Sequence, residues 1–365
     1  MTPERPFPPD PVAAVTFPDP YPFYAELVAR RPLYRDDTLG LWVAASAEAV
    51  STVLASDLCR VRPPAEPVPK ALVGSPAGEI FRQLVRMNEG PFHGSCKQAV
   101  GRMLGAIGEA QAAAASRRWA AFLAEDDLSG FHFRLPVYTV ASLLGVPPET
   151  LRPVADWTDD LVPALSPAST PEQVERGQAA ARSLLELFRS LYEGEAVVAN
   201  AIGLLFQAHD ATAGLIGNTL VALGRHSGVR ERVAADPELL PALLLEVLRY
   251  DPPVQNTRRF VARDGAVAGQ TMREGDAVLV VLAAANRDPA ANESPERFDL
   301  FRKERRIFTF GAGTHACPGE ALALTIARAG VERLLQTDPD LERFAATVAY
   351  RPAANVRIPV SVAPP

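Results

Sequence analysis

Cysteine is scarce in this chain. Three in 365 residues, Cys59, Cys96 and Cys317, are too few and too scattered to build a disulfide framework, which argues for a reducing cytoplasm. Long hydrophobic runs are missing too. No stretch approaches the roughly 20 apolar residues that a membrane-spanning helix requires, and residues 1–10, polar and with four prolines, are neither a signal peptide nor an anchor. The expectation is a soluble protein whose residues 1–18 form a flexible N-terminal segment. Charge of one sign is never gathered into a long block, and the net charge of −6 offers nothing to nucleic acid. What remains is a normal globular composition, 48% hydrophobic, in a chain long enough to bury a sizeable core.

Periodicity places the elements. Tyr21, Phe23, Tyr24, Leu27 and Val28 recur at helical spacing, so a helix runs from a cap at Asp19 to residue 31, where Pro32 ends it. Residues 33–35 and 41–44 read as two short strands and 47–55 as a helix. Residues 61–73 are proline-rich, aperiodic and mostly apolar, a loop that suits an apolar ligand and ordinary packing equally. A helix from Phe92 puts His93 and Lys97 on one face. Residues 135–144 read as a buried helix closed by Gly145, 172–192 as another, and 196–226 as the longest helical pattern, apolar on almost every face as a helix inside a large core is. Glu246 and Arg249 share a face of a helix over 241–250, strands are expected at 260–262 and 277–282, and the final one of these elements is a helix over 320–335.

Phe310-Gly-Ala-Gly-Thr-His-Ala-Cys-Pro-Gly319 runs straight into that helix. A cysteine in a glycine-bearing turn at a helix N-terminus is placed to be a thiolate, because backbone N–H groups and the helix dipole stabilise the anion. Cys317 is therefore a candidate soft metal ligand, a buried structural cysteine being the plainer alternative. The stretch fits F-x-x-G-x-x-x-C-x-G, with Phe310, Gly313, Cys317 and Gly319 at the fixed positions. On this motif the chain resembles the cytochrome P450 family, in its soluble bacterial form. The resemblance implies a mainly α fold with a small β region in one domain over 1–365, and haem b bound with Cys317 as the axial ligand of the iron and Phe310, Gly311, Gly313 and Gly319 around it.

The resemblance extends along the chain. His93 and Lys97 take the place of the family's His-x-x-x-Arg, directed at a haem propionate, with Lys bringing charge without the bidentate fork. Arg259, with Arg258 as fallback, holds the propionate-binding position that follows Pro252, and His315 a further one unless it is a plain loop histidine. Val254, Gln255, Asn256 and Ala211 are the implied substrate-pocket residues. Glu246-Val-Leu-Arg249 matches the family's E-x-x-R, whose third partner is implied to be Arg297 of Pro295-Glu-Arg-Phe298.

Gln207-Ala-His-Asp-Ala-Thr212 falls where the family carries A-G-x-[D/E]-T-T. Ala208 is then beside the haem, and Asp210 takes the place of the acid that feeds protons to dioxygen. Ala211 occupies the position of the following threonine, so the hydroxyl is missing. Thr212 is the remaining catalytic candidate, although one residue along a helix is a rotation of about 100°. An ordered water, a substrate hydroxyl, or peroxide entering with its protons in place are the possible rescues. His209 reads as packing or as a hydrogen-bonding neighbour of Asp210. Between Gly145 and residue 196 there is less chain than the family's lid region contains, so a shortened lid over the pocket is expected. Arg302, Arg305 and Arg306 read either as a dock for an acidic electron donor or as a solvated loop.

The activity implied is a monooxygenase inserting one oxygen atom from dioxygen into a small-to-medium, largely apolar molecule, with electrons from a separate ferredoxin and ferredoxin reductase or similar donor. A cytoplasmic, monomeric enzyme with no nucleic-acid or membrane partner is expected. The rivals are a peroxide-driven or oxidative-coupling P450, motivated by Ala211, and a non-enzymatic P450-like binding module.

Overall fold

The computed structural model describes residues 7–63, 65–126, 130–166 and 169–361. Pro64 of the proline-rich loop, Pro167 and Ala168 of the break before residue 171, and residues 1–6 of the N-terminal segment lie outside them. Contacts divide the chain into two compact units, one of residues 1–60, 214–317 and 338–365, the other of residues 61–213 and 318–337.

The first unit is built on a five-stranded sheet. Its strands are β1 (Leu33–Asp36), β2 (Leu41–Ala44), β3 (Cys59–Arg60), β4 (Thr257–Val261) and, beyond the hairpin of β5 (Gly265–Val267) and β6 (Gln270–Met272), β7 (Ala277–Val280). The order is β1-β2-β7-β4-β3, with β2 and β7 parallel, Val43 opposite Leu279. The unbroken apolar run of β7 follows from burial on both faces. Val278 and Val280 pack with Val50 and Val53 of the helix Ala47–Ala55, while Leu279 and Val281 join Tyr24 and Leu27 of the helix Tyr21–Arg30 on the other side. A strand's period of two sends neighbours to opposite faces. A second small pairing joins β8 (Val348–Tyr350) to β9 (Pro359–Ser361).

Two expectations are corrected at the N-terminus. The segment from Phe7 to Pro18 is ordered rather than flexible: Ala14 and Val15 are fully buried, Asp10 Oδ1 accepts from the amides of Val12 and Ala13 at 2.8 Å, and the buried Arg357 guanidinium donates to the carbonyls of Val15, Phe17 and Pro18. A proline-rich segment has carbonyls but few donors of its own, and an arginine with five N–H groups collects them. The first helix starts at Tyr21 with Pro20, not Asp19, as its cap residue.

The second unit is helical among the described residues. Thr170 and Gln173 form a reciprocal capping box at the start of the helix Pro171–Leu191. This helix packs on Leu151–Ala164 so closely that a Cβ at Gly177 would collide with that of Ala164. Glu320–Leu335 lies against Glu109–Asp126 and Phe131–Leu143, and Trp119 of the second of these meets the Tyr138 ring edge-on at 5.6 Å while donating to Ser142 Oγ. No described helix is long and apolar enough to cross a membrane. The long helix Glu195–Arg225 contributes its residues up to Ala213 to this unit and its remainder to the first.

Candidate functional site

The thiol loop belongs to the first unit. Its turn is closed by Gly311 N–H donating to Phe308 O and Cys317 N–H donating to Phe310 O at 2.9 Å, with a 3-10 turn over Gly313–His315. Gly311 and Gly313 have φ of +69° and +66°, the left-handed region that glycine enters without penalty, which is why the loop carries glycine at these places. Cys317 is exposed, in no disulfide, while Cys59 and Cys96 are buried. Burial pushes both of those thiols up, the wrong direction for a thiolate ligand. Phe310 and His315 are half-buried beside Cys317, and Gly319 precedes the helix Glu320–Leu335.

Strand β4 resolves the two neighbouring arginines by its alternation, with Arg259 6% exposed and Arg258 pointing to solvent. Val254 is half-buried and bridges to Val356. Gln255 and Asn256 do not stand free to face a substrate, as expected of them. Gln255 is fully buried, its amide donating to Pro252 O and accepting from the Tyr24 hydroxyl, and Asn256 donates to Ala354 O. Both serve the packing of the first unit.

The E-x-x-R pair forms, with a different third partner. Glu246 and Arg249 have fully buried side chains and meet through two hydrogen bonds, Nε to Oε2 at 3.1 Å and an Nη to Oε1 at 2.6 Å. Arg305 Nε reaches Glu246 Oε2 at 3.1 Å and Arg302 Nε reaches Oε1 at 3.5 Å. Arg297 offers only its backbone carbonyl, to Arg249, and its side chain is exposed. Arg306 donates to Ser51 Oγ and covers the Phe308 ring. Arg302 and Arg305 are 9% and 13% exposed and neutralise a buried carboxylate, while Lys303 and Arg306 are exposed.

In the second unit the long helix carries the other set of residues. His209 is 1% exposed. Its Nδ1 is 2.7 Å from Asp210 Oδ1 and its Nε2 is 2.6 Å from Asp159 Oδ1 on the helix Leu151–Ala164. The Phe133 ring stacks on the imidazole at 5.0 Å. Burial alone would lower the imidazole pKa, but hydrogen bonds to Asp159 and Asp210 and their charges outweigh it, and the net shift is upward. His209 is therefore the hydrogen-bonding neighbour of Asp210 that the sequence suggests, and Asp159, 50 residues away, is a partner that no local pattern reveals. Ala208 and Ala211 are half-buried. Thr212 is 1% exposed and its hydroxyl has no hydrogen-bond partner among the described residues. On the helix Gly90–Gly105, His93 is buried in line with Cys96 and Val100, and Lys97 is half-buried next to it.

These residues, from Asp210 through Glu246 and Arg259 to Cys317, lie within residues 194–337, which match the family model for cytochrome P450. The solved structure of cytochrome P450 TbtJ1 superposes with a TM-score of 0.74 at 26% identity, covering 93% of this chain and 96% of that one. The chain belongs to the cytochrome P450 family. Members of this family bind haem b through a thiolate. P450BioI, solved with an acyl carrier protein, has the same fold at a TM-score of 0.80 and 24% identity, with 93% and 96% covered. Among curated P450 relatives, the biotin biosynthesis P450 of Bacillus subtilis is 28% identical over 63% of this chain and 64% of its own length. The vitamin D(3) 25-hydroxylase of Pseudonocardia autotrophica is 34% identical over 66% of each. The matched part of this P450 thus spans slightly under two thirds of those relatives.

Proposed function

We propose that this P450 is a haem-thiolate monooxygenase acting on a small-to-medium, largely apolar organic molecule, with electrons delivered by a separate ferredoxin-type donor. The observation that carries the reading is Cys317: it is the exposed thiol of the chain, at the cysteine of the F-x-x-G-x-x-x-C-x-G motif, in a loop held by two left-handed glycines and closing hydrogen bonds. Thr212 adds a second sign of fit. A buried hydroxyl without a partner costs about 1–3 kcal/mol, which a polar occupant beside it would recover.

Haem b, when bound, supplies the iron at which dioxygen is activated, and electron donation from a thiolate favours O–O cleavage there. Cys317 Sγ would hold the iron. By the family resemblance, Arg259, His93, Lys97 and His315 would be directed at the propionates. Asp210 is the group of the long helix that can pass a proton on at its carboxylate, and Ala211 offers no hydroxyl to do so. Ile202, Leu205 and Phe206, all buried, keep the long helix dry near the acid. The hydroxylase among the relatives acts on vitamin D(3) by its name, which supports an apolar substrate class. A second reading, turnover driven by hydrogen peroxide, is favoured by Ala211.

The test is the reduced carbon monoxide difference spectrum of the purified protein and of Cys317→Ser, followed by a spin-state titration with hexadecanoic acid, a steroid and 7-ethoxycoumarin. The proposal expects a thiolate-type Soret band in the wild type and its loss in the variant. A wild type that binds no haem, or binds it without that band, refutes it. Product formed equally fast from hydrogen peroxide alone and from dioxygen with a ferredoxin system selects the second reading.

A further inference from the structure

The buried imidazole between two carboxylates is not explained by packing. We propose that Asp159, His209 and Asp210 form a proton relay from solvent to the acid of the long helix, the imidazole supplying the transfer that Ala211 cannot. The inference rests on the monooxygenase reading and specifies which residues of this chain move the protons.

The imidazole is the buried link between two more exposed carboxylates. The Asp159 side chain is 53% exposed, His209 1% and Asp210 18%. Each ring nitrogen has its own carboxylate oxygen, at 2.6 and 2.7 Å, so the ring can accept at one nitrogen while donating at the other. A proton taken from water by Asp159 passes to Nε2 as the proton on Nδ1 passes to Asp210. Only N–H and O–H bonds are made and broken, and no electrons move. Each transfer leaves the ring as the Nε2–H tautomer, and proton exchange with solvent restores the starting one before the next transfer. Stacking on Phe133 fixes the ring plane. The groups facing the ring are Asp159 from the helix Leu151–Ala164, Asp210 from its own helix, and uncharged Phe133 from Phe131–Leu143, where His132 is the titratable neighbour of Phe133 at 4.3 Å between rings. Against the opposing effect of burial, hydrogen bonds to the two aspartates and their charges also hold the imidazole pKa above its ordinary value.

A purely structural role for the imidazole makes different predictions. A histidine that only braces two helices would be replaced by glutamine without consequence for protons. His209 acts through Asp210, so it is a positioning and relay residue. Asp159 is half-exposed, which lets Asp159→Asn test the relay with little risk to folding.

The experiment uses the haem-loaded protein, Asp159→Asn and His209→Gln. Imidazole titrations are followed by NMR in the reduced carbon monoxide form, with His209→Gln assigning the resonance among the five histidines. Oxygen consumption driven by NADH through a surrogate ferredoxin and its reductase is measured in H2O and D2O across pH. The relay expects the His209 pKa to fall in Asp159→Asn. It also expects oxygen consumption in both variants to drop by about 100-fold, the low end for lost proton transfer, with a larger solvent isotope effect. Wild-type rates and isotope effects in both variants, with the thiolate carbon monoxide band intact, overturn the relay and leave the monooxygenase reading standing. A wild type without that band removes both.

Discussion

Glu246 is the buried carboxylate on which three guanidinium groups converge, and the geometry separates their contributions. Arg305 has its Nε at 3.1 Å from Glu246 Oε2 and donates an Nη to Leu300 O at 2.8 Å. Arg305→Gln removes one charge-assisted hydrogen bond but leaves Arg249 and Arg302 on the acid, so the expected loss is about 1.5–3 kcal/mol, the range for hydrogen bonds to charged groups. Glu246→Gln instead leaves Arg249 buried without its counter-ion, for which about 3–5 kcal/mol is typical. Arg297→Gln touches a solvent-exposed side chain whose carbonyl alone is used, and surface changes of that kind stay within about 0.5 kcal/mol. Urea denaturation of the three variants, and of Glu246→Gln combined with each arginine change, measures these losses and the couplings. The coupling of Glu246 to Arg305 should exceed about 1 kcal/mol, and that to Arg297 should vanish within about 0.5 kcal/mol, the usual limit for independent sites. Arg297→Gln proving as damaging as Arg305→Gln, or coupling more strongly to Glu246, would refute the assignment.

Three further outcomes are expected. His209 has a folded-state pKa above its unfolded value, so the stabilisation it gives is full below the ordinary imidazole pKa and is lost as pH rises through the raised one; the stability difference between wild type and His209→Gln should therefore be larger at pH 5.5 than at pH 9 by denaturant titration, and an equal difference at both contradicts the clamp. A Cβ at Gly224 would run into the Leu341 carbonyl and Ala345, whereas Gly101, in the exposed face of the helix Gly90–Gly105, has open space around it; by thermal melts Gly224→Ala should destabilise, and Gly101→Ala should gain up to about 1 kcal/mol of helix propensity. In haem-free folded protein a thiol reagent should modify Cys317 rapidly and Cys59 and Cys96 only on unfolding, as their burial dictates, and mass spectrometry of the labelled peptides checks the order.

Much of the helical skeleton was legible because its signals are local. The helices Ala47–Ala55 and Glu320–Leu335 match their sequence expectations end to end, and the long helix differs by one residue at each end. The His209 to Asp210 contact was legible for the same reason, since the two are adjacent in sequence. Asp159 was not, because its approach to His209 depends on how the helix Leu151–Ala164 packs, and an exposed aspartate in that helix looks like any solvated acid. The choice of Arg305 over Arg297 turns on the path of an irregular loop, which periodicity does not describe. The order of residues 7–18 was hidden because the donors that bind this segment come from Arg357, at the other end of the sequence.

That last contact bears on when the first unit can be completed. Arg357 joins the carbonyls of Val15, Phe17 and Pro18 to Asp251, so residues 15–18 wait for a side chain made more than 300 positions later. Contacts of such separation are slow to form because loop closure must precede them. The strands β1 and β2 share this delay, since their parallel neighbour β7 lies some 230 positions downstream. Until then the emerging chain exposes a two-stranded ribbon whose β2 edge is unpaired, the kind of edge that invites wrong partners. Arg357 thus acts as a late fastener, and its loss should show first as poor recovery of folded protein during synthesis.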